Sequence, residues 1–158
     1  MTKELEGILS EWKFCRNNTI EFIKSFSDAI LDMKLPRSGL DTFRKHFVEM
    51  ANVQEAYIRG IETTQMSFGE TSESIAEDCP VTSILQHMQQ LDDRMLEALN
   101  QIDDNCQINW FGEKKTLYGH VCALCTHEIL HIGQIIAFCY TLDVPIPNSV
   151  AQDWDLPV

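Results

Sequence analysis

The sequence predicts a nearly all-α fold, a four-helix bundle with a long crossover between its second and third helices. Three observations carry that prediction. Apolar residues recur at three- and four-residue spacing along four long segments, the period of helices that bury one face. No segment shows the strand-like alternation of apolar and polar residues. Residues 63–79 hold Gly69, several Ser and Thr, and acids, with no periodicity. A connection of that length is unusual in a small helical domain, but it suits a crossover between helices that run in the same direction. The length of 158 residues and apolar content of 44% fit one domain over residues 1–158 with a sizeable core.

The first helix is expected over residues 4–33, with Leu5, Ile8, Trp12, Cys15, Phe22, Ile23, Phe26, Ile30 and Leu31 on its apolar stripe. Asn17, Asn18 and Thr19 weaken its middle, and the run from Lys34 through Pro36 and Arg37 to Gly39 stops it. A second helix is expected over 41–62, with Asp41 as its N-cap. A third follows Pro80, with Val81, Ile84, Leu85, Met88, Leu91, Met95, Leu99 and Ile102 facing inward, and Asp103, Asp104 and Asn105 end it. Residues 106–115 read as a loop containing Asn109-Trp110-Phe111-Gly112. The fourth helix starts at a Thr116 cap, runs to Leu142, and stops at Val144-Pro145-Ile146-Pro147. In the tail beyond, Trp154 is able to act as an anchor.

The formal net charge is −12. It disfavours nucleic acid, whose binding depends on Lys and Arg neutralising phosphates, and anionic membrane surfaces. No uninterrupted apolar run approaches the roughly 18 residues of a membrane span. The N-terminus lacks a basic segment followed by an apolar one, so a cytoplasmic protein is expected. The six cysteines are then reduced thiols, mostly buried.

The fourth segment holds Thr126-His127-Glu128-Ile129-Leu130-His131-Ile132-Gly133-Gln134. Residues four apart on a helix differ by about 40° in direction and roughly 6 Å in height. His127 and His131 therefore share one face, the core-facing one. His46 lies within the buried stripe of the second helix, among Phe43, Met50, Val53 and Tyr57. Burying three imidazoles without a common partner demands three separate hydrogen-bond solutions. Neutral imidazole is also the commonest transition-metal ligand, and three protein ligands leave a position open for water or substrate. His46, His127 and His131 are thus expected to bind a divalent metal. Gln134, about 20° from His127 and one turn beyond His131, is placed to orient a ligand. Glu128 and Glu49 are weaker partners for the site, with inter-helix or surface salt bridges as their competing role.

His120 lies roughly 10 Å along the axis from His127 and reads as a pocket or surface residue, and His87 as a solvated one. Cys122 and Cys125 spell C-x-x-C on the face away from His127, where core packing is expected. The stretch also matches H-E-x-x-H, the metalloprotease helix. No Glu follows Glu128, Gln134 and Ala137 stand where a longer metalloprotease motif has Gly and His, and no strand is available to hold a peptide. A peptidase is therefore set aside.

One histidine early in the second helix (His46), then H-x-x-x-H followed by Gly-Gln in the fourth (His127, His131, Gly133, Gln134), resembles the DinB-like, or YfiT-like, superfamily. The aromatic loop before the fourth helix and the proline-rich exit after it fit as well, and the resemblance spans nearly the whole chain. It implies an up-down-down-up bundle, a divalent metal, often nickel or zinc, held by three histidines, and frequent homodimers. Its characterised members include S-transferases that use the low-molecular-weight thiols bacillithiol or mycothiol. In sequence, no cluster of Arg or Lys flanks the histidines. The expected function is metal-dependent S-transfer to or from a small-molecule substrate. The alternatives are a metal-dependent hydrolase and a non-catalytic metal-binding stress-response module.

Overall fold

The computed structural model describes residues 1–68 and 75–157. It is mostly helical: α1 (Lys3–Ser25), α2 (Asp28–Leu31), α3 (Phe43–Thr63), α4 (Val81–Gln101), α5 (Leu117–Leu142) and α6 (Asn148–Asp153). The four long helices are the four periodic segments of the sequence. Part of the expected crossover, residues 69–74, lies outside the described residues.

The first helix is shorter than its periodicity suggested. It ends at Phe26, whose backbone is extended, and Ser27 caps a new short helix by accepting a hydrogen bond from the Ile30 N–H at 3.3 Å. Periodicity misses such a break because Phe26 and Leu31 are both buried and keep the apolar spacing across it. The weak middle, by contrast, holds. Asn18 and Thr19 are buried with their polar groups paired. Asn18 accepts from the Trp154 indole at 3.1 Å, and Trp154 also packs 5.4 Å from Phe14, so α6 is fastened to α1.

The loop between α2 and α3 is closed at its base. Lys34 and Thr42 form an isolated bridge, and the Leu35 N–H donates to the Asp41 carbonyl at 2.9 Å. Thr42, rather than Asp41, caps α3: its hydroxyl accepts from the Lys45 N–H at 3.2 Å. The Asp41 carboxylate instead pairs with Lys34 and Lys45, which hold it down at about 2. A cation on either side competes better for this carboxylate than a single amide does.

The expected absence of strands does not hold. β1 (Gln65–Met66) runs parallel to β2 (Gln107–Trp110), which turns back into β3 (Glu113–Thr116). The aromatic loop is thus the tip of a hairpin. Its two turn residues, Phe111 and Gly112, have φ of 52° and 100°, the left-handed pair of a type I′ turn. Strands of two to four residues are too short to register as alternation, and a bulky residue such as Phe111 rarely takes that turn position. The sheet ties the end of α3 to the start of α5, and Thr116 caps α5 as expected.

α3 packs against α4 and α5, and α1 packs against α5 and, less extensively, α4. Among the described helices, α5 alone is long and apolar enough, by length and composition, to cross a membrane. Counting uninterrupted apolar residues does not find it, because His120, His127, Glu128, His131 and Gln134 break the run. In the fold, α5 offers two flanks to two different helices, and its polar residues divide between them.

Candidate functional site

His46 sits one turn into α3, and His127 and His131 lie one turn apart on α5. The α3–α5 contact brings the three rings together. The His46 and His131 centroids are 5.2 Å apart and those of His127 and His131 4.5 Å, with Phe138 edge-on to His46 at 5.9 Å. His46 is fully buried, His131 nearly so, and His127 is partly open to solvent.

The ring nitrogens form a chain. His46 Nδ1 faces His131 Nδ1 at 2.9 Å, and His131 Nε2 faces His127 Nε2 at 3.2 Å. A neutral imidazole has one N–H and one lone pair. Three in a row can therefore make two hydrogen bonds and leave one nitrogen over at each end. Those ends are His46 Nε2 and His127 Nδ1, both buried and without a hydrogen-bond partner. Burial favours the neutral rings. It pushes His46 down to about 4, with help from the Arg37 charge. Burial, reinforced by His127 and His46, pushes His131 down to about 3, and burial also lowers His127.

Three neutral imidazoles in mutual contact, with two buried nitrogens lacking partners, suit a transition metal in donor type and protonation state. As the rings stand, their nitrogens face one another. Among the described residues no three donors converge on a point that could hold an ion, so a shared centre requires rotation of the rings about their side-chain bonds.

The other expected contributors separate. Gln134 is beside the cluster, but its Oε1 accepts from Arg37 Nη1 at 3.2 Å. Arg37 is the residue that sequence reasoning missed. It lies in the closed loop before α3, within the run that stops the first helix, where no helical periodicity exists to assign it a face. Glu49 is half-buried, its carboxyl raised by burial and by Glu77, and among the described residues no hydrogen bond or ion pair joins it to the rings.

Glu128 is fully buried and turned toward α1. It accepts from the Thr19 hydroxyl at 2.6 Å and pairs with Arg16 at 3.0 Å. It lies about 100° around the helix from His127, which is enough to change its neighbour from α3 to α1. The inter-helix salt bridge is its role. The H-E-x-x-H spelling thus corresponds to no shared site.

His120 is not a surface residue. It is fully buried, its Nδ1 accepts from the Trp110 indole at 2.8 Å, and its Nε2 lies 2.9 Å from the Tyr57 carbonyl. His87 is buried rather than solvated. Of the C-x-x-C pair, Cys125 is buried and Cys122 exposed; all six thiols are free, with only Cys15, Cys125 and Cys139 buried.

No curated protein matches the chain. The sequence model of the DinB family matches residues 1–142, from the start of the chain to the last residue of α5, with all three clustered histidines inside the match. The chain belongs to the DinB family.

Proposed function

We propose that His46, His127 and His131 hold a divalent transition metal, nickel or zinc, and that the site transfers a low-molecular-weight thiol of the bacillithiol kind to or from a small substrate. The observation that carries the reading is the chain of three neutral imidazoles whose end nitrogens, His46 Nε2 and His127 Nδ1, are buried without partners. We read the four long helices as an up-down-down-up bundle. The packing of α3 on both α4 and α5, and of α1 on α5, supports it.

When bound, the metal supplies a Lewis acid that lowers the pKa of a thiol or water at its open position. The chain's own residues do the rest. Burial keeps the three rings neutral, so each keeps a lone pair to offer. Phe138 covers one side of His46 and excludes water there. His127, partly exposed, marks the side that substrate approaches.

A metal assay tests the reading. Untagged protein is loaded with Ni²⁺ or Zn²⁺, desalted and analysed by mass spectrometry beside His46→Ala, His127→Ala and His131→Ala. Wild type is expected to retain about one metal per chain, and each variant to lose most of it. Equal and negligible metal in all four proteins would sink the proposal. Turnover of electrophiles by loaded protein then separates transfer, which requires the thiol, from hydrolysis, which does not. One observation favours a second reading, a metal-free structural histidine chain: the rings already satisfy one another through two hydrogen bonds.

A further inference from the structure

The chain has five arginines among 12 cationic residues and carries 24 acids. In so acidic a protein an arginine normally finds a carboxylate. Arg16, Arg44, Arg59 and Arg94 each do. Among the described residues, Arg37 does not. It is exposed, yet its Nε donates to the Ser38 carbonyl at 3.3 Å and its Nη1 to Gln134 Oε1 at 3.2 Å, which leaves Nη2 unused. The loop that carries it is held at its base by the Lys34–Thr42 bridge and by buried Leu35, so the guanidinium is held from both ends.

The Gln134 amide is oriented by the same contact. Its oxygen is taken by Arg37, so its nitrogen is the end left over, and that nitrogen has no hydrogen-bond partner within the described residues. Arg37 and Gln134 together thus present N–H groups and a positive charge, with the Gln134 oxygen already taken by Arg37. This edge lies beside the histidine cluster: Gln134 follows His131 by three residues on α5, and the Arg37 charge acts on both His46 and His131. The unused Nη2 of a planar guanidinium, next to an amide donor, suits an oxyanion acceptor.

We propose that Arg37, steered by Gln134, is the anion anchor of this site, and that the molecule handled at the histidines carries a carboxylate or phosphoryl oxyanion. The proposal rests on the reading of the histidine cluster as the reacting centre. Arg37 acts as a specificity-determining residue: it fixes the charged end of the ligand while the remainder reaches His127.

The test is an NMR titration of the full-length ¹⁵N-labelled chain, metal-free and loaded with diamagnetic Zn²⁺, at fixed ionic strength. The probes are malonate, inorganic phosphate and the neutral isostere malonamide. Saturable shifts of the Arg37 Nε–H and Gln134 side-chain amide signals are expected with an anion and not with malonamide. Arg37→Gln should weaken anion binding at least tenfold, and Arg37→Lys, which keeps the charge without the fork, by less. Tighter binding of phosphate or of malonate assigns the phosphoryl or carboxylate class, and either ranking supports the anchor. Equal shifts with malonate and malonamide, no saturation with either anion, or unchanged anion affinity in Arg37→Gln would overturn it. An unchanged spectrum elsewhere shows that the variant is folded. Failure of the metal reading appears separately, as loss of metal stoichiometry in wild type, because the metal-free arm reads the anchor alone.

Discussion

Replacing Arg16 by Met isolates Glu128, the most heavily buried charge among the described residues. Arg16 and Glu128 have side chains 3% and 0% exposed, and they meet at 3.0 Å between α1 and α5. Arg16 also reaches Asp92 at 3.4 Å and donates to Gln54 at 2.5 Å. Arg16→Met keeps the unbranched stem beside Met88 and Trp12 but removes the cation. Asp92 is 20% exposed and keeps hydrogen bonds from the Gln54 amide and the Trp12 indole. Glu128 keeps only Thr19 and is fully buried. Breaking one side of a buried pair costs about 3–5 kcal/mol. The carboxyl has one escape, which is to take up a proton. At pH 7, against the ordinary glutamate value of 4.5, that costs at most about 3 kcal/mol. The expected loss at pH 7 is therefore about 3 kcal/mol, or roughly 6–12 °C in Tm for a chain of this size.

The pH dependence has a definite sign. Burial already raises the Glu128 carboxyl, with Arg16 and Thr19 pulling it back. Without Arg16 it rises further. A carboxyl raised in the folded state adds stability below its unfolded value of 4.5 and loses that contribution as pH climbs through its folded value. The penalty of Arg16→Met should thus shrink to under about 1 kcal/mol from this source at pH 5. Glu128→Gln removes the charge but keeps the Thr19 contact, so adding it to Arg16→Met should restore part of the loss, a coupling of about 2 kcal/mol. Urea denaturation followed by circular dichroism at pH 7 and pH 5 reads all four proteins. A loss below about 1 kcal/mol at pH 7, an equal loss at both pH values, or strict additivity would refute the reasoning.

Gly60→Ala should destabilise the protein by about 1–3 kcal/mol, although alanine favours helices, because its Cβ would fall 2.8 Å from His120 Cε1 and that ring is held by Trp110 and Tyr57. Thermal denaturation checks it, and a Tm at or above wild type contradicts the fixed ring. Chelator-treated protein should lose stability as pH falls below about 6.5 and on toward 4. The folded values of His46 and His131 are depressed to about 4 and about 3, so the unfolded chain takes up protons first and the stability present above 6.5 is lost on the way down. A Tm that stays flat from pH 7 to pH 4.5 would contradict neutral buried rings.

The periodic signals were legible in the sequence because burial on a long helix repeats. The four long helices, and the shared face of His127 and His131, follow from a 3.6-residue turn alone. The choice of His46 as their companion needed only its place in the stripe of α3. What stayed hidden is set by local competition or by non-helical chain. Ser27 ends α1 through a cap that leaves the apolar spacing intact. The hairpin strands are too short to show a period. Asp41 lost the cap of α3 to Thr42 because two lysines compete for it. Arg37 lies in a closed loop, where a residue's neighbours depend on the fold rather than on its spacing.

Glu128 shows why a motif needs its flanking helices before it carries chemistry. His127, Glu128 and His131 are adjacent in sequence, yet a step of one residue on α5 changes the packing partner from α3 to α1. On the α3 flank, burial acts on neutral rings that can share protons or a metal. On the α1 flank, it acts on a carboxylate that needs Arg16 to remain charged. A catalytic base for the histidines would have to lie within hydrogen-bond reach of whatever they hold. Glu128 spends its Oε1 on Thr19 and Arg16, on the other side of the helix. The same turn that excludes Glu128 brings Gln134 back to the histidine flank, where Arg37 meets it. The residue three positions after His131 thus meets Arg37, while the one that completes the familiar spelling meets Arg16.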